Sequence, residues 1–303
     1  MYNSAIAVFK GIRSEFSQGL QNAPESTYDP MIDRVKSNSD KEDYWIPVTV
    51  PKIKAWLDQR HFSDMADKKL EIYNKPWDDG ITVDRDTLDD SRATLGGNLE
   101  KWIKSMVDTY KDFPDELGQT LLTANSAAFD GTAMFATSRT NLDTGSNTIN
   151  NLLTGTSSST YSLAEFEADY KAAKTKLLGF RDKHNRAFNK NPKLAVFVPQ
   201  HMEDVARVLL ADRQELIYVS SLQSNLYAGD AQVLVNWEQT TTTDNDWYLV
   251  NLNANWKPFI IQDRKAPEWM MDDNKMNKNI FYGFDFRMGY GFGNPMSIVK
   301  TNN

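Results

Sequence analysis

NIFYGFDFRMGYGFG, residues 279–293, carries an apolar side chain at every even position: Ile280, Tyr282, Phe284, Phe286, Met288, Tyr290 and Phe292. Side chains of a strand point alternately to opposite faces, so this period of two predicts one long strand with a single buried face. The GYGFG at 289–293 competes as a phosphate-binding loop, but that needs a helix start to present its amides, and no helix-forming stretch follows. The glycines read instead as places where a neighbouring backbone comes close.

Outward from this strand, the last third of the chain is β-rich. QVLVNW, DWYLVNL and KPFIIQDR read as short strands, with NWEQTTTTDND a polar connection. LAVFVP, 194–199, is a buried strand ended by proline and followed by a helix through Met202, Val205, Ala206 and Leu209. Ser162 and Glu165 form a capping-box signature for a helix marked by Leu163, Phe166, Tyr170, Ala173 and Leu177. Residues 137–160, rich in Ser, Thr, Asn and Gly, read as an exposed loop. Upstream, Leu95, Leu99, Trp102, Ile103, Met106, Val107 and Tyr110 fall on one helical stripe. That helix is expected to stop near Asp112, with Pro114 opening a second one through Leu117, Leu121 and Leu122. Residues 70–86 read as two strands parted by a turn at PWDDG, and YWIPVTVPKIKAWLDQRHF as a strand broken by Pro47 and Pro51 before a short helix. Residues 1–42 read as an arm with one short amphipathic helix (Ile6, Phe9, Ile12, Phe16) and little core of its own.

Composition narrows the function classes. A chain of 303 residues can bury a sizeable core. Its apolar runs are too short to span a bilayer, and its first residues, charged by Lys10 and Arg13, do not form a secretory signal. It has no cysteine, so disulfide and thiolate chemistry are out. A formal charge of −7 argues against tight nonspecific nucleic-acid binding, which needs surplus Lys and Arg.

The candidate catalytic motifs of the sequence each have a simpler reading. DTGS at 143–146 matches the aspartic-protease loop, whose chemistry needs two carboxylates sharing a proton. One copy is present and a polar stretch, TSRTNL, precedes it, so it reads as a turn around Gly145 rather than a site for Asp143. His61, His184 and His201 lack metal-ligand spacing. Asp89 and Asp90 read as solvated charges before the long helix, and the basic tract KTKLLGFRDKHNR as a solvated face. No catalytic, cofactor-binding or metal residue is assigned.

An ordered set of motifs does carry a resemblance. Trp45-x-Pro, PKIKAW-x-x-x-R (51–60), Tyr73-Asn-Lys, ITVDRDTLDD, the helix at 114–122, FDGTAMFAT, WYLVNLNANWKPFIIQDRKAPEW and FDFRMGYGFGNP run in one order from about residue 44 to the C-terminus. In that set and order the chain resembles the Mu-like phage major head subunit (gpT-like) family, with Arg139 where the family commonly has His. The middle, 140–235, matches in pattern only. The resemblance implies an α+β, Hong Kong 97-type capsid fold. Its parts would be an N-terminal arm (1–42), an extended β-loop (43–86), a peripheral domain with a long spine helix (87–136 and 246–303) and an axial domain (137–245).

It implies a major capsid protein that self-assembles into hexamers and pentamers of an icosahedral tailed-phage or prophage head enclosing double-stranded DNA. The expected partners are itself, a scaffold and a portal protein, with DNA enclosed but not read by sequence and no membrane. The expected place is the virion, assembled in the host bacterial cytoplasm. An encapsulin-type nanocompartment shell is the alternative within the fold, and a hydrolase the alternative outside it. The mixed-charge strip at 43–86 supplies candidates for contact between subunits: Trp56 and Trp77 as aromatic anchors, with Arg60, Lys68 and Lys69 as charged ones.

Overall fold

The computed structural model describes residues 16, 26–50, 69–86, 92–140, 142, 144–145, 147–156, 161–211, 215–217, 222–239, 245–274 and 278–302. In chain order its strands are β1 (Ile32–Lys36), β2 (Lys41–Tyr44), β3 (Leu70–Tyr73), β4 (Lys75–Asp84), β5 (Leu152–Thr154), β6 (Leu194–Pro199), β7 (Glu215–Ile217) and β8 (Leu222–Ser224). They continue with β9 (Ala231–Asn236), β10 (Trp247–Asn251), β11 (Phe259–Asn274), β12 (Asn279–Phe292) and β13 (Ile298–Asn302). The helices are α1 (Arg92–Ala124), α2 (Leu163–Gly179) and α3 (Glu203–Leu210).

Two sheets organise these elements. One has the order β1-β11-β12-β4, the other β5-β13-β10-β6-β9. LAVFVP shows why both are needed. It is β6, buried at all six positions and paired on both sides, antiparallel to β10 and parallel to β9. Ala195 and Phe197 join the core shared with the first sheet and α1, whereas Leu194, Val196 and Val198 join the core under α2 and α3. A strand covered on both faces has no polar side to show, which accounts for the unbroken apolar run.

β12 keeps its alternation: Ile280, Tyr282, Phe284, Phe286, Met288 and Phe292 are buried, and Tyr290 is half-buried. Its apolar face meets α1, with Tyr110 against Phe284 and Phe286 at 6.1 and 5.0 Å between centroids and Phe113 against Phe286 at 5.5 Å. The capping box also forms, Ser162 Oγ accepting from the Glu165 N–H while Glu165 accepts from the Ser162 N–H.

Five local expectations are corrected. PWDDG is no turn, since β4 runs through it as an edge strand paired with β12. Gly80 lies opposite Gly283, and a β carbon on either would stand 2.3 or 2.6 Å from the Phe281 ring, so the glycine pair makes room for that ring. Pro114 does not start a helix; it lies within the 33-residue α1. Its missing N–H costs a helix interior about 3 kcal/mol, offset here by aromatic packing of Tyr110 and Phe113 and burial of Leu117, Leu121 and Leu122.

KPFIIQDR is the start of a 16-residue strand that continues past Pro267. Of two register shifts in this strand, between Asp263 and Lys265 and between Lys265 and Glu268, the second contains that proline, the sheet irregularity that admits one. Residues 137–160 are not simply exposed: Leu142, Ile149 and Asn151 are buried, and 152–154 is β5. Asn151 stands in for sheet pairing there, accepting from the Ala136 N–H and donating to the Met134 and Pro295 carbonyls.

The last correction concerns residues 26–36, expected within an arm with little core of its own, which add buried side chains to the first core. Tyr28 and Met31 are 1% and 0% exposed, and β1 pairs in parallel with β11. Phe16 packs between Trp269 and Phe284, 5.2 and 5.1 Å from their ring centroids. β10 and β13, from the segments expected in the peripheral part, pair within the second sheet. Among the described residues, no helix is long and apolar enough to cross a membrane.

Candidate functional site

β2 and β3 form a two-stranded sheet of their own that carries exposed side chains on its outer face. β2 and β3 pair antiparallel, Lys41 opposite Tyr73 and Tyr44 opposite Leu70. Alternation then sorts the faces. Tyr44 and Ile72 turn inward with Ile260 as a small core, and Lys41, Asp43, Lys69 and Glu71 turn outward. The outward face is a charge ladder: Lys69 Nζ lies 3.0 Å from Asp43 and 2.6 Å from Glu71, and Lys41 Nζ 3.0 Å from Glu71. Hydrogen bonds from Lys69 and Lys41 hold the Glu71 carboxyl down at about 2. The pairs are exposed, so they order the face more than they stabilise it. Tyr73 and Trp45 add apolar area beside the ladder, 59% and 40% exposed.

Past β2 the chain is anchored again. Ile46 is fully buried in the second core, and the Val50 N–H donates to Asp182 at 3.0 Å. Asp182 also accepts from the His184 and Arg186 N–H groups and from the Arg186 guanidinium. Burial pushes its pKa up, but these donors outweigh that and hold it at about 2. Leu70, at the start of β3, packs against this same second core and against the small core of Tyr44, Ile72 and Ile260.

Of the expected contact residues, Trp56, Arg60 and Lys68 lie outside the described residues. Lys69 stands in the charge ladder of its own hairpin. Trp77 is half-buried against its own chain, its ring 4.8 Å from that of Phe113 and its Nε1–H donating to the Met288 carbonyl at 3.1 Å. Asp89 and Asp90 are also outside the described residues, as is Asp143. Around Asp143, a tight turn is closed by the Asn147 N–H donating to the Thr144 carbonyl at 3.3 Å, with Gly145 at φ +65°. His184 and His201 are both exposed, and His201 bonds Asn245 at 2.9 Å.

Two clusters that no site motif pointed to hold the motif residues together. In the FDGTAMFAT turn, Arg139 and Asp130 are a fully buried ion pair, Nη1 lying 2.7 and 2.8 Å from the two carboxylate oxygens. Arg139 Nη2 also donates to the Ala133 carbonyl at 2.6 Å and to that of Met134. In the second cluster Asn74, of the Tyr-Asn-Lys motif, meets Gln262, of FIIQDR, at 3.1 Å. The one sequence signal for Gln262 is a polar residue inside an apolar strand; nothing in the sequence pairs it with Asn74.

These residues are staples and charge ladders, an arrangement that fixes loops and presents surface. The family described as Mu-like prophage major head subunit gpT matches residues 6–167 and 228–302. The Mu-like prophage FluMu major head subunit of Haemophilus influenzae is 28% identical over 133 residues, 43% of this chain and 42% of that protein, so the match spans under half of that relative's length. Among solved structures, a chain of the bacteriophage JBD30 procapsid is 18% identical with a TM-score of 0.55, covering 100% of this chain and 76% of that one. The virus-like particle from Pyrococcus furiosus gives 10% identity and a TM-score of 0.52, covering 97% and 99%. The cyanophage P-SCSP1u capsid gives 9% and 0.51, covering 91% and 87%. At these identities the likeness is one of fold, the Hong Kong 97-type capsid fold expected from the motifs. The match to the family skips 168–227, inside the stretch where the motifs were weakest, yet spans most of the chain on both sides of it. The chain belongs to the Mu-like prophage major head subunit gpT family.

Proposed function

We propose that this chain is the shell-forming subunit of a tailed-phage or prophage head, assembling into hexamers and pentamers of a closed icosahedral shell around double-stranded DNA. Family membership is the observation that carries this reading. Self-assembly is the mechanism: many weak contacts between copies add in a closed lattice. The charge of −7 suits a container that encloses DNA without gripping it. Scaffold and portal proteins would be partners in assembly, which would take place in the host cytoplasm. No catalytic role is proposed.

In this reading the first sheet with α1 forms the peripheral part and the second sheet with α2 and α3 the axial part. The β-loop is the stretch expected at 43–86, whose last part, β4, pairs into the first sheet, and Trp56, Arg60 and Lys68 are its contact candidates. Trp56→Ala and Arg60→Ala should leave thermal melting of the unassembled subunit unchanged and weaken assembly by ~2 kcal/mol per contact. A large drop in the subunit's own melting temperature would place these contacts inside the chain and remove the loop's assigned role. An encapsulin-type compartment would share the fold and differ in contents, so particles holding protein cargo in place of nucleic acid would favour it.

A further inference from the structure

Gln262 is completely buried in β11, directly after Phe259, Ile260 and Ile261. A buried polar side chain in a core strand is costly unless every group is satisfied. Here each is. Its Oε1 accepts from the Tyr44 hydroxyl at 2.8 Å, and its Nε2 donates to the Ile72 carbonyl at 3.2 Å and to Asn74 Oδ1 at 3.1 Å. Asn74 extends the network, its Nδ2 donating to Ser37 Oγ and to the Ser39 carbonyl, both at 2.8 Å, and its N–H to the Asp40 carbonyl at 2.9 Å. Two amide side chains thus collect the end of β1, the turn after it, β2 and β3.

The surface beneath explains why such a network is needed. β3 lies on the glycines of β12. A β carbon on Gly289 would stand 2.7 Å from Gln262 Nε2 and 2.8 Å from the Tyr73 carbonyl oxygen, and one on Gly291 2.8 Å from Ile72 Cδ1. The glycine bed lets β3 lie close, and the small apolar core of Tyr44, Ile72 and Ile260 that packs beside it is non-directional. Hydrogen bonds are directional. An apolar residue at 262 would bury as well, but it would not set an orientation.

We propose that Gln262 and Asn74 are positioning residues. They form a polar clamp that fixes the direction in which the chain leaves the first sheet through β2 and returns through β3. This use of the clamp rests on the shell-forming reading: a closed lattice built from one repeated interface needs each copy to present that interface in a defined direction. The clamp itself does not rest on it.

The test uses the absence of native cysteine. Spin labels are placed at Trp45→Cys and Glu268→Cys, both exposed positions, and the distance distribution is measured in the unassembled chain, with thermal melting and electron microscopy of assembled particles alongside. Gln262→Met removes the amide at near-constant volume. Tyr44→Phe deletes a single bond and serves if Gln262→Met does not fold. The unaltered chain should give one narrow distribution. The variants should widen it at least twofold with a cooperative melt retained, and uniform particles should become mixed in size or open. Unchanged distributions in a folded Gln262→Met, or in Tyr44→Phe if the first does not fold, would overturn the clamp whatever the particles look like. Widened distributions from a chain that never forms shells would keep the clamp and remove the shell-forming reading.

Discussion

The ring of Tyr28 lies so close to Gly118 that a β carbon on the glycine would stand 2.4 Å from Tyr28 Cδ1. Tyr28 cannot retreat. It is 1% exposed, meets Phe197 and Phe259 edge-on at 4.7 and 5.8 Å, and its hydroxyl lies 3.1 Å from Gln119 Oε1 and 3.3 Å from Asn236 Oδ1. Below it, Asp115 accepts from the N–H groups of Thr27 and Tyr28, each at 3.2 Å. One glycine and one aspartate, a turn apart on α1, thus seat the segment that leads into β1.

Gly118→Ala sets two effects against each other. Helix propensity alone favours alanine by about 1 kcal/mol, whereas overpacking of a fixed core costs about 1–3 kcal/mol. With a contact this short the second should win, and the variant should be less stable by about 1–2 kcal/mol in denaturant unfolding. An unchanged or raised midpoint would mean that the Tyr28 ring has room to move.

Arg139→Met should be among the most damaging single changes. It leaves Asp130 charged in a site with 0% side-chain exposure and takes two carbonyls' donor away. Losing one partner of a buried pair costs about 3–5 kcal/mol. The double change Arg139→Met with Asp130→Leu should recover part of that loss, because no lone charge stays buried. A double variant as unstable as the sum of the singles would contradict the pairing.

Asp182 gives the fold a dependence on acid. Its folded pKa, about 2, lies below the ordinary carboxylate value. Its contribution is therefore complete above the unfolded pKa near 4 and is lost as pH falls from there through about 2. Asp182→Ala should be less stable than the unaltered chain at pH 7 by about 2 kcal/mol, having removed the acceptor of several partly buried donors. The gap should narrow as the pH drops from 5 to 2. Urea unfolding of both chains across that range checks it, and a constant gap would show that the carboxylate is not held ionised.

Periodicity made some elements legible and side-chain meetings stayed hidden. β12 and β6 were readable because burial on one face or on two writes itself as alternation or as an unbroken apolar run. The capping box was readable because both partners lie within one turn. The glycines of GYGFG were readable as close approaches, though not what approaches them. Misreadings came from punctuating residues whose surroundings overrode them. Pro114 was absorbed by packing, Pro267 by a bulge, and Asp-Gly in β4 by the Phe281 ring. Asn74 and Gln262, 188 residues apart, and Arg139 with Asp130 carry no local pattern that pairs them. Only the fold brings the first two together.

The central claim is that copies of this chain build a closed shell. Negative-stain electron microscopy of the purified chain, taken through a range of salt and protein concentration with and without a scaffold partner, tests it most directly. The account predicts closed particles, or rings with fivefold and sixfold symmetry, with light scattering far above that of a 34.6 kDa monomer. A chain that stays monomeric under all of these conditions would contradict it.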